Sequence, residues 1–514
     1  MTSNLAESPA RRAIKVRVIA QAALIAALLV IVFAQWTPRH FHSFSIFDSG
    51  IFLYVGEQLR QGYRLYRDVW DHKPPIIFLV NEIGLMFGGG SPAGVLLLDF
   101  IFCLIFFLAA HRAMRQLFGS APALIATLLG ILFFRDITPQ PNLGEIVCLP
   151  FQFPAFFLLL ADLEYGVSLT RAASQGVLLA LLFWTRPDGI AISLIYCVVV
   201  AAKKAKSTAP LRSRLSKAAG FAGAFVAASA AIVVPFAVNV SWREVWFATF
   251  TFNQHYAGLT TIGERLRALW WMVQYAAQHG FILLAAAGLI SILWKLRWSS
   301  MRSRAEGIAA IWFLLELGFA AYTGKQYGKN MIPILLPAMI CIAAFCCRFV
   351  ESGVRTTRAS MVFASAVVFF FTTALAISQF RENAKAIPDP DRSLIAEIQK
   401  LSSRQEHVTF WGVFSPATIF ATHRSSGTRF FTSIPLSHGE SLYRELAPVA
   451  LNDMIRNRSK LIVQRNDGAI PPLAGQLAAW DTARLADQKG VLMRDYVPVW
   501  RNSETKTIIY LRDE

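Results

Sequence analysis

Residues 47–75, FDSGIFLYVGEQLRQGYRLYRDVWDHKPP, follow the first apolar run of the chain and carry most of its unusual chemistry. Asp48 stands a short reach past that run, and Lys73 follows within Asp71-His72-Lys73-Pro74-Pro75. The two prolines force extended backbone just after the lysine and fix where the next apolar segment begins. A fixed cation at headgroup depth suits a phosphate, and a carboxylate beside it suits a hydroxyl.

The surrounding sequence supplies the lipid wall behind this polar stretch. With 55% hydrophobic residues, 40 Phe and 13 Trp among 514 residues, the chain reads as a polytopic α-helical membrane protein rather than a soluble enzyme with one large core. A span needs about 20 apolar residues to cross roughly 30 Å. Eleven runs are candidates, near 18–36, 93–110, 122–134, 146–162, 174–185, 189–202, 218–240, 279–295, 307–322, 331–347 and 359–378. The formal charge of +18 comes from short Lys/Arg clusters between these runs. That is how loops held on the cytoplasmic side look, and it leaves no basic face for nucleic acid. The run after Arg11, Arg12, Lys15 and Arg17 reads as an uncleaved first span with the N-terminus inside. All six cysteines lie within or at the ends of apolar runs, without CxxC or Cys/His spacing, so neither disulfides nor a structural zinc are expected.

Segment 76–91, IIFLVNEIGLMFGGGS, is apolar but short, with Asn81-Glu82 at its centre. If it spanned, most of the basic loops would face outward, so it is placed as an interfacial helix on the outer face. The outer connections are then 37–92, 135–145, 241–278 and 323–330, with the Arg186-Pro187-Asp188 turn. Residues 1–17 form a basic cytoplasmic N-terminus, 18–380 the membrane domain with its first outer loop at 37–92, and 381–514 a small outer α/β domain. That domain reads as helix Ser393–Ser403, strand His407–Trp411, a helix after Ser415-Pro416 and a strand at Arg429–Thr432. A helix near 442–457, strand Lys460–Gln464, a helix near 472–487 and a strand pair at 495–512 complete it.

Alone, Asp48 reads as a helix N-cap ahead of Gly50–Leu59. Its company in one outer loop, Tyr54, Tyr66, Asp68, Asp71, His72 and Lys73, reads as a site. Lys73 could instead snorkel from the interface. Asp71 and His72 could hold a divalent metal, although neighbours on an extended segment point apart. Asn142 and Glu145 sit where the third span ends and the fourth begins; Glu145 either favours that helix N-terminus or is a second carboxylate of the site. Arg186 and Asp188 could pair across their turn, yet an arginine beside a short helix in lipid is costly enough to suspect function. Lys325, Tyr327 and Lys329 form a second cationic outer loop. The Trp- and Phe-rich 241–278 connection, with His255 among the candidate site residues, reads as an aromatic belt or as the border of a lipid-linked substrate's path. The acids Glu82, Asp99 and Glu316 in apolar runs could each satisfy a neighbouring helix.

The order of a first span, FDSGIFLYVGEQLRQGYRLYRDVWDHKPP, a surface helix, a Glu-bearing second outer loop and many further spans resembles the GT-C glycosyltransferases. More narrowly it is similar to the bacterial protein mannosyltransferase and aminoarabinose transferase branch, including rhizobial galacturonosyltransferase-like members. The likeness covers roughly 18–378, and FWGVFSPATIF followed by TRFF is similar to the outer domain of many such proteins. It implies transfer of a sugar from a polyprenyl-phosphate donor to an acceptor hydroxyl of an envelope glycan, lipid or protein, at the outer face of a bacterial inner membrane with the C-terminal domain periplasmic. It implies Asp48 as the residue acting on the acceptor, Lys73 near the donor phosphate, and Glu145 as the acid of the second loop. Arg186, Lys325, Tyr327 and Lys329 are the further candidates for the phosphate. The chain departs from the pattern at Ser49, where many relatives carry a second acid, at His72, where others carry an acid, and in lacking the His-Tyr often found before YGKNMIPILLP. No nucleotide-binding glycine motif occurs, as a lipid-phosphate donor would allow. A lipid or glycan transporter or flippase, or a non-catalytic envelope scaffold, is the alternative, with charges at mid-bilayer as its mark.

Overall fold

The computed structural model describes residues 9–34, 36, 47–138, 140–205, 210–238, 240–258, 260–278, 280–295, 298–351, 391–437, 440–465 and 495–513. The first fifteen helices are α1 (Pro9–Ala34), α2 (Phe47–Arg60), α3 (Ile76–Phe87), α4 (Ala93–Phe118), α5 (Ser120–Ile137), α6 (Gly144–Tyr165), α7 (Leu169–Thr185), α8 (Ala191–Ala205), α9 (Leu211–Ala237), α10 (Trp242–Trp246), α11 (Phe252–Gly258), α12 (Ile262–Gln278), α13 (Phe281–Trp294), α14 (Met301–Tyr322) and α15 (Leu335–Glu351). Beyond them α16 (Arg392–Leu401), β1 (His407–Trp411), α17 (Pro416–Thr422), β2 (Ser425–Ser426), α18 (Ile434–Ser437), α19 (Glu440–Arg456), β3 (Leu461–Arg465), β4 (Tyr496–Asn502) and β5 (Thr507–Arg512) follow.

Each candidate span from 18–36 to 331–347 overlaps one of these helices, and 359–378 lies outside the described residues. Seven helical stretches among the described residues are long and apolar enough to cross a membrane: Lys15–Ala34, Ala93–Phe118, Ser120–Ile137, Gly144–Tyr165, Arg212–Ala237, Met301–Tyr322 and Gly328–Glu351. The 12 residues of α3 rise only about 18 Å. That is too short for the hydrocarbon core and suits a helix lying at its edge.

The chain divides into two compact units, each drawn from separate stretches. One comprises Met1–Thr37, Leu97–Ala230 and Thr260–Lys385. In it, charges stand at helix ends, where they can pair: Arg302 with Glu351 at 2.7 Å, Arg302 with Glu306 at 3.1 Å, and Arg348 also with Glu306. Gly288 of α13 lets the backbone of α15 approach, since a Cβ there would stand 2.2 Å from the Cys341 carbonyl.

The other unit comprises Pro38–Leu96, Ala231–Leu259 and Ala386–Glu514. Its centre is a five-stranded sheet in the order β2-β1-β3-β5-β4. The β2, β1 and β3 strands are parallel, with Val408 opposite Leu461; β5 runs antiparallel to β3, with Leu461 opposite Leu511, and β4 runs antiparallel to β5. The expected strand at Arg429–Thr432 is not formed. The short strand is Ser425–Ser426, because the Arg429 carbonyl accepts from the Trp70 amide and the Arg429 amide and guanidinium turn to the Asp453 carboxylate. The helix expected near 472–487 lies outside the described residues. Helix α2 packs on α17 so closely that a Cβ at Gly50 would meet the Ala417 nitrogen at 2.6 Å. The Tyr54 hydroxyl accepts from the Ser426 amide at 2.7 Å, and its ring lies 4.3 Å from that of Phe431. The polar stretch that opens the sequence reading is therefore folded together with the sheet.

Candidate functional site

In the sheet-bearing unit, α2 places Asp48 in its first turn, as part of the helix. Helix N-termini favour a negative charge, because the first amides there lack partners. The Lys73 Nζ stands 3.9 Å from Asp48 Oδ1, with the two side chains 29% and 19% exposed. Both groups therefore keep an open side. The ammonium also lies 5.5 Å from the centre of the Phe52 ring, one turn along α2.

The segment carrying Lys73 is held on both sides of the residue. Its amide donates to Asp71 Oδ1 at 2.9 Å, and its carbonyl accepts from the Tyr66 hydroxyl at 2.9 Å. Tyr66 is buried with φ of 71°, a left-handed conformation that a bulky residue adopts only when its surroundings demand it. The His72 carbonyl accepts from Asn253 Nδ2 at 2.6 Å. Asp71 is buried, which pushes its carboxyl above the ordinary carboxylate range, while the Lys73 charge and the Lys73 and His72 amides pull it part of the way back. The His72 ring packs 5.3 Å from Phe252 and 5.9 Å from Tyr256.

A second polar cluster lies within the other unit. Glu145 opens α6 and is buried, and Arg186 caps the C-terminus of α7. The Arg186 Nη1 meets Glu145 and its Nε meets Asp188. Its Nη2 donates to Asp188 Oδ2 at 2.7 Å and to Asn330 Oδ1 at 3.2 Å. Burial works against the guanidinium charge, but Asp188 and Glu145 more than offset it, so its pKa lies above the ordinary arginine value. Two carboxylates against one guanidinium leave the cluster negative. Beside it, Gln152 links the Gly189 carbonyl at 3.4 Å to Glu316 at 3.3 Å, and the Trp312 indole donates to Glu316 at 2.9 Å.

The remaining candidates separate by surroundings. Asn142, at φ of 61°, gives its amide to the Asp99 carboxylate. Asp99 and Glu316 thus both serve neighbouring backbone or side-chain donors. Lys329 lies 5.3 Å from the Tyr327 ring, and Lys325 and Tyr327 line an open cleft of about 370 Å³ with Glu264, Arg267, Gly324 and Gln326. Tyr54 is a buried contact with the sheet; burial, eased by the Ser426 hydrogen bond, raises its hydroxyl pKa. His255 is half-buried on α11. Among the described residues no group of three or more His, Cys, Asp and Glu is arranged to hold a metal ion. Asp71 Oδ1 accepts from the Lys73 amide and stands 3.8 Å from His72 Nδ1.

No protein-family model matches the sequence, and no curated protein matches it. Among solved structures, ArnT from Cupriavidus metallidurans bound to undecaprenyl phosphate aligns at a TM-score of 0.63 and 12% identity, covering 95% of this chain and 97% of that one. The fold is that of the GT-C glycosyltransferases. The same ArnT in the apo state aligns at a TM-score of 0.58 and 13% identity, with 95% and 97% covered. The Archaeoglobus fulgidus oligosaccharyltransferase in the apo form aligns at 0.50 and 13% identity, covering 87% of this chain and 69% of that one. Asn253, Asn330 and Gln152 are polar residues that the sequence reading passed over. Asn253 sits in TFNQHY and Asn330 in YGKN, and an amide within an aromatic or apolar run was the available signal.

Proposed function

We propose that the protein is a membrane glycosyltransferase that moves a sugar from a polyprenyl-phosphate-linked donor to an acceptor hydroxyl of an envelope glycan, lipid or protein. The observation that carries this reading is the ion pair of Asp48 and Lys73 on a GT-C fold. The ArnT structure with undecaprenyl phosphate bound supports a lipid-phosphate ligand for this fold. Asp48 takes the proton of the acceptor hydroxyl as its oxygen bonds to the anomeric carbon. The bond from that carbon to the phosphate oxygen breaks, and the lipid phosphate leaves with its electron pair. Lys73 neutralises the charge gathered on it. Without substrate the two groups neutralise each other; with it, the phosphate and the hydroxyl take their places.

Arg186 is less suited to the phosphate than Lys73, because its donors already face two carboxylates and an amide oxygen. The clustering of Lys and Arg in loops such as 203–217 supports a bacterial inner-membrane protein with the Asp48 loop and C-terminal domain on the outer, periplasmic face. A transporter would need intramembrane acids available for cargo. Glu316 instead accepts hydrogen bonds from Trp312 and Gln152, and one oxygen of Asp99 accepts from the Asn142 backbone amide.

Mass spectrometry of envelope glycolipids and glycans from cells with and without the protein tests the reading. A glycosylated species should vanish without the protein and stay absent when only the Asp48→Asn variant is supplied. An unchanged glycan profile in cells lacking the protein would refute transfer.

A further inference from the structure

We propose that Asn253 is a positioning residue for Lys73, delivered to that place by the π-turn that precedes it. The role of Lys73 rests on the function proposed above; the clamp itself does not. Residues Phe247–Thr251 form a π-helical turn between α10 and α11, closed by the Phe252 amide on the Phe247 carbonyl. One extra residue in a turn rotates everything after it by about 100° around the helix axis. That rotation decides which face of α11 carries Asn253.

Asn253 Nδ2 has three carbonyls in reach: His72 at 2.6 Å, Thr249 at 3.0 Å and Ala248 at 3.3 Å. The shortest of the three ties α11 to the peptide immediately before Lys73. Phe252 secures the approach, lying 5.0 Å from the Trp70 ring and 5.3 Å from that of His72. On the far side, the Tyr66 hydroxyl holds the Lys73 carbonyl, and the Pro74 ring fixes the backbone that follows. The lysine backbone is therefore fixed from before and after. A side chain with four rotatable bonds reaches one carboxylate reproducibly only from a fixed root. Asn253 touches neither reacting group and acts through the loop.

The experiment uses the full-length protein in detergent and reads acylation of the Lys73 amine by an N-hydroxysuccinimide ester, quantified by peptide mass spectrometry against Lys400 as an internal standard. Asn253→Asp keeps the shape of the residue and removes both donors. Its Lys73 should be acylated several-fold faster than in the wild type, because the ammonium is no longer held against Asp48. Tyr66→Phe, which removes only the hydroxyl, should shift the rate in the same direction and serves if Asn253→Asp does not fold. An unchanged Lys73 rate in a folded Asn253→Asp protein, or in Tyr66→Phe where Asn253→Asp does not fold, overturns the assignment. In the transfer assay, Asn253→Asp should lower the rate by up to about 10²-fold, the effect of an ångström-scale misplacement. Faster acylation with unchanged transfer would keep the clamp and instead remove Lys73 from the donor role.

Discussion

Replacing Arg186 with methionine should expose how strongly its cluster depends on one cation. The side chain is only 18% exposed, and its partners Glu145 and Asp188 are 5% and 28% exposed. Removing one partner of a buried pair costs about 3–5 kcal/mol, because the remaining charge is stranded. Here Glu145 bears most of that cost, since Asp188 retains contact with solvent. A loss near the lower end, about 3 kcal/mol, is therefore expected for Arg186→Met. Glu145→Gln alone should cost about 1 kcal/mol or less, because its amide oxygen still accepts from Arg186 and Asp188 still balances the guanidinium. The two changes together should cost less than Arg186→Met alone, with a coupling of about 1–3 kcal/mol. Thermal unfolding in detergent, followed by tryptophan fluorescence, reads the order: wild type, then Glu145→Gln, then the double variant, with Arg186→Met lowest. If Glu145→Gln lowers Tm as much in the Arg186→Met background as in the wild type, the two side chains are not coupled and the cluster is misassigned.

The other expectations test packing and protonation in the sheet-bearing unit. Gly50→Ala should destabilise by about 1–3 kcal/mol through overpacking, with its Cβ 2.6 Å from the Ala417 nitrogen and 2.9 Å from the Pro416 carbonyl carbon. Gly223→Ala, with nothing within 4 Å, should be neutral or stabilising, and equal Tm shifts for the two would contradict the close approach of α2 to α17. Asp71 should leave a pH signature. Its folded-state pKa lies above the ordinary 3.8, so as pH rises the unfolded chain releases the proton first and the folded state loses relative stability. The Tm of the wild type should therefore fall relative to Asp71→Asn from near pH 3.8 upward through the folded-state pKa, and a wild-type Tm that holds level or rises relative to Asp71→Asn over that window would refute the burial effect.

The helices were legible because their signal is local. Apolar runs such as AGVLLLDFIFCLIFFLAA, interrupted only by Asp99, read as membrane segments without any partner. The Asp48–Lys73 juxtaposition was legible for a similar reason: Pro74-Pro75 ends the loop at a fixed place, and both residues belong to one connection. The packing of α2 and the 64–73 loop against the sheet was not. It rests on the Tyr54 bond to Ser426 and the Trp70 bond to Arg429, pairs more than 350 residues apart in sequence. The Trp70 bond also explains the misplaced strand, since β-propensity at TRFF cannot reveal that its backbone is committed elsewhere. The RPD turn announced Arg186 with Asp188 but not Glu145 and Asn330, which reach it from α6 and from the Gly328–Ile334 turn. Asn253 was hidden because a π-turn has no reliable pattern and changes the helix face on which an amide emerges.

The central claim is that Asp48 serves as the base in sugar transfer. Its most direct test is the rate at which purified protein in lipid vesicles releases free polyprenyl phosphate from the sugar donor identified by the glycolipid comparison. Loss of a general base costs about 10²–10⁴-fold, so Asp48→Asn should fall by that much while still binding the donor. Release at the wild-type rate by a folded Asp48→Asn protein would contradict the account.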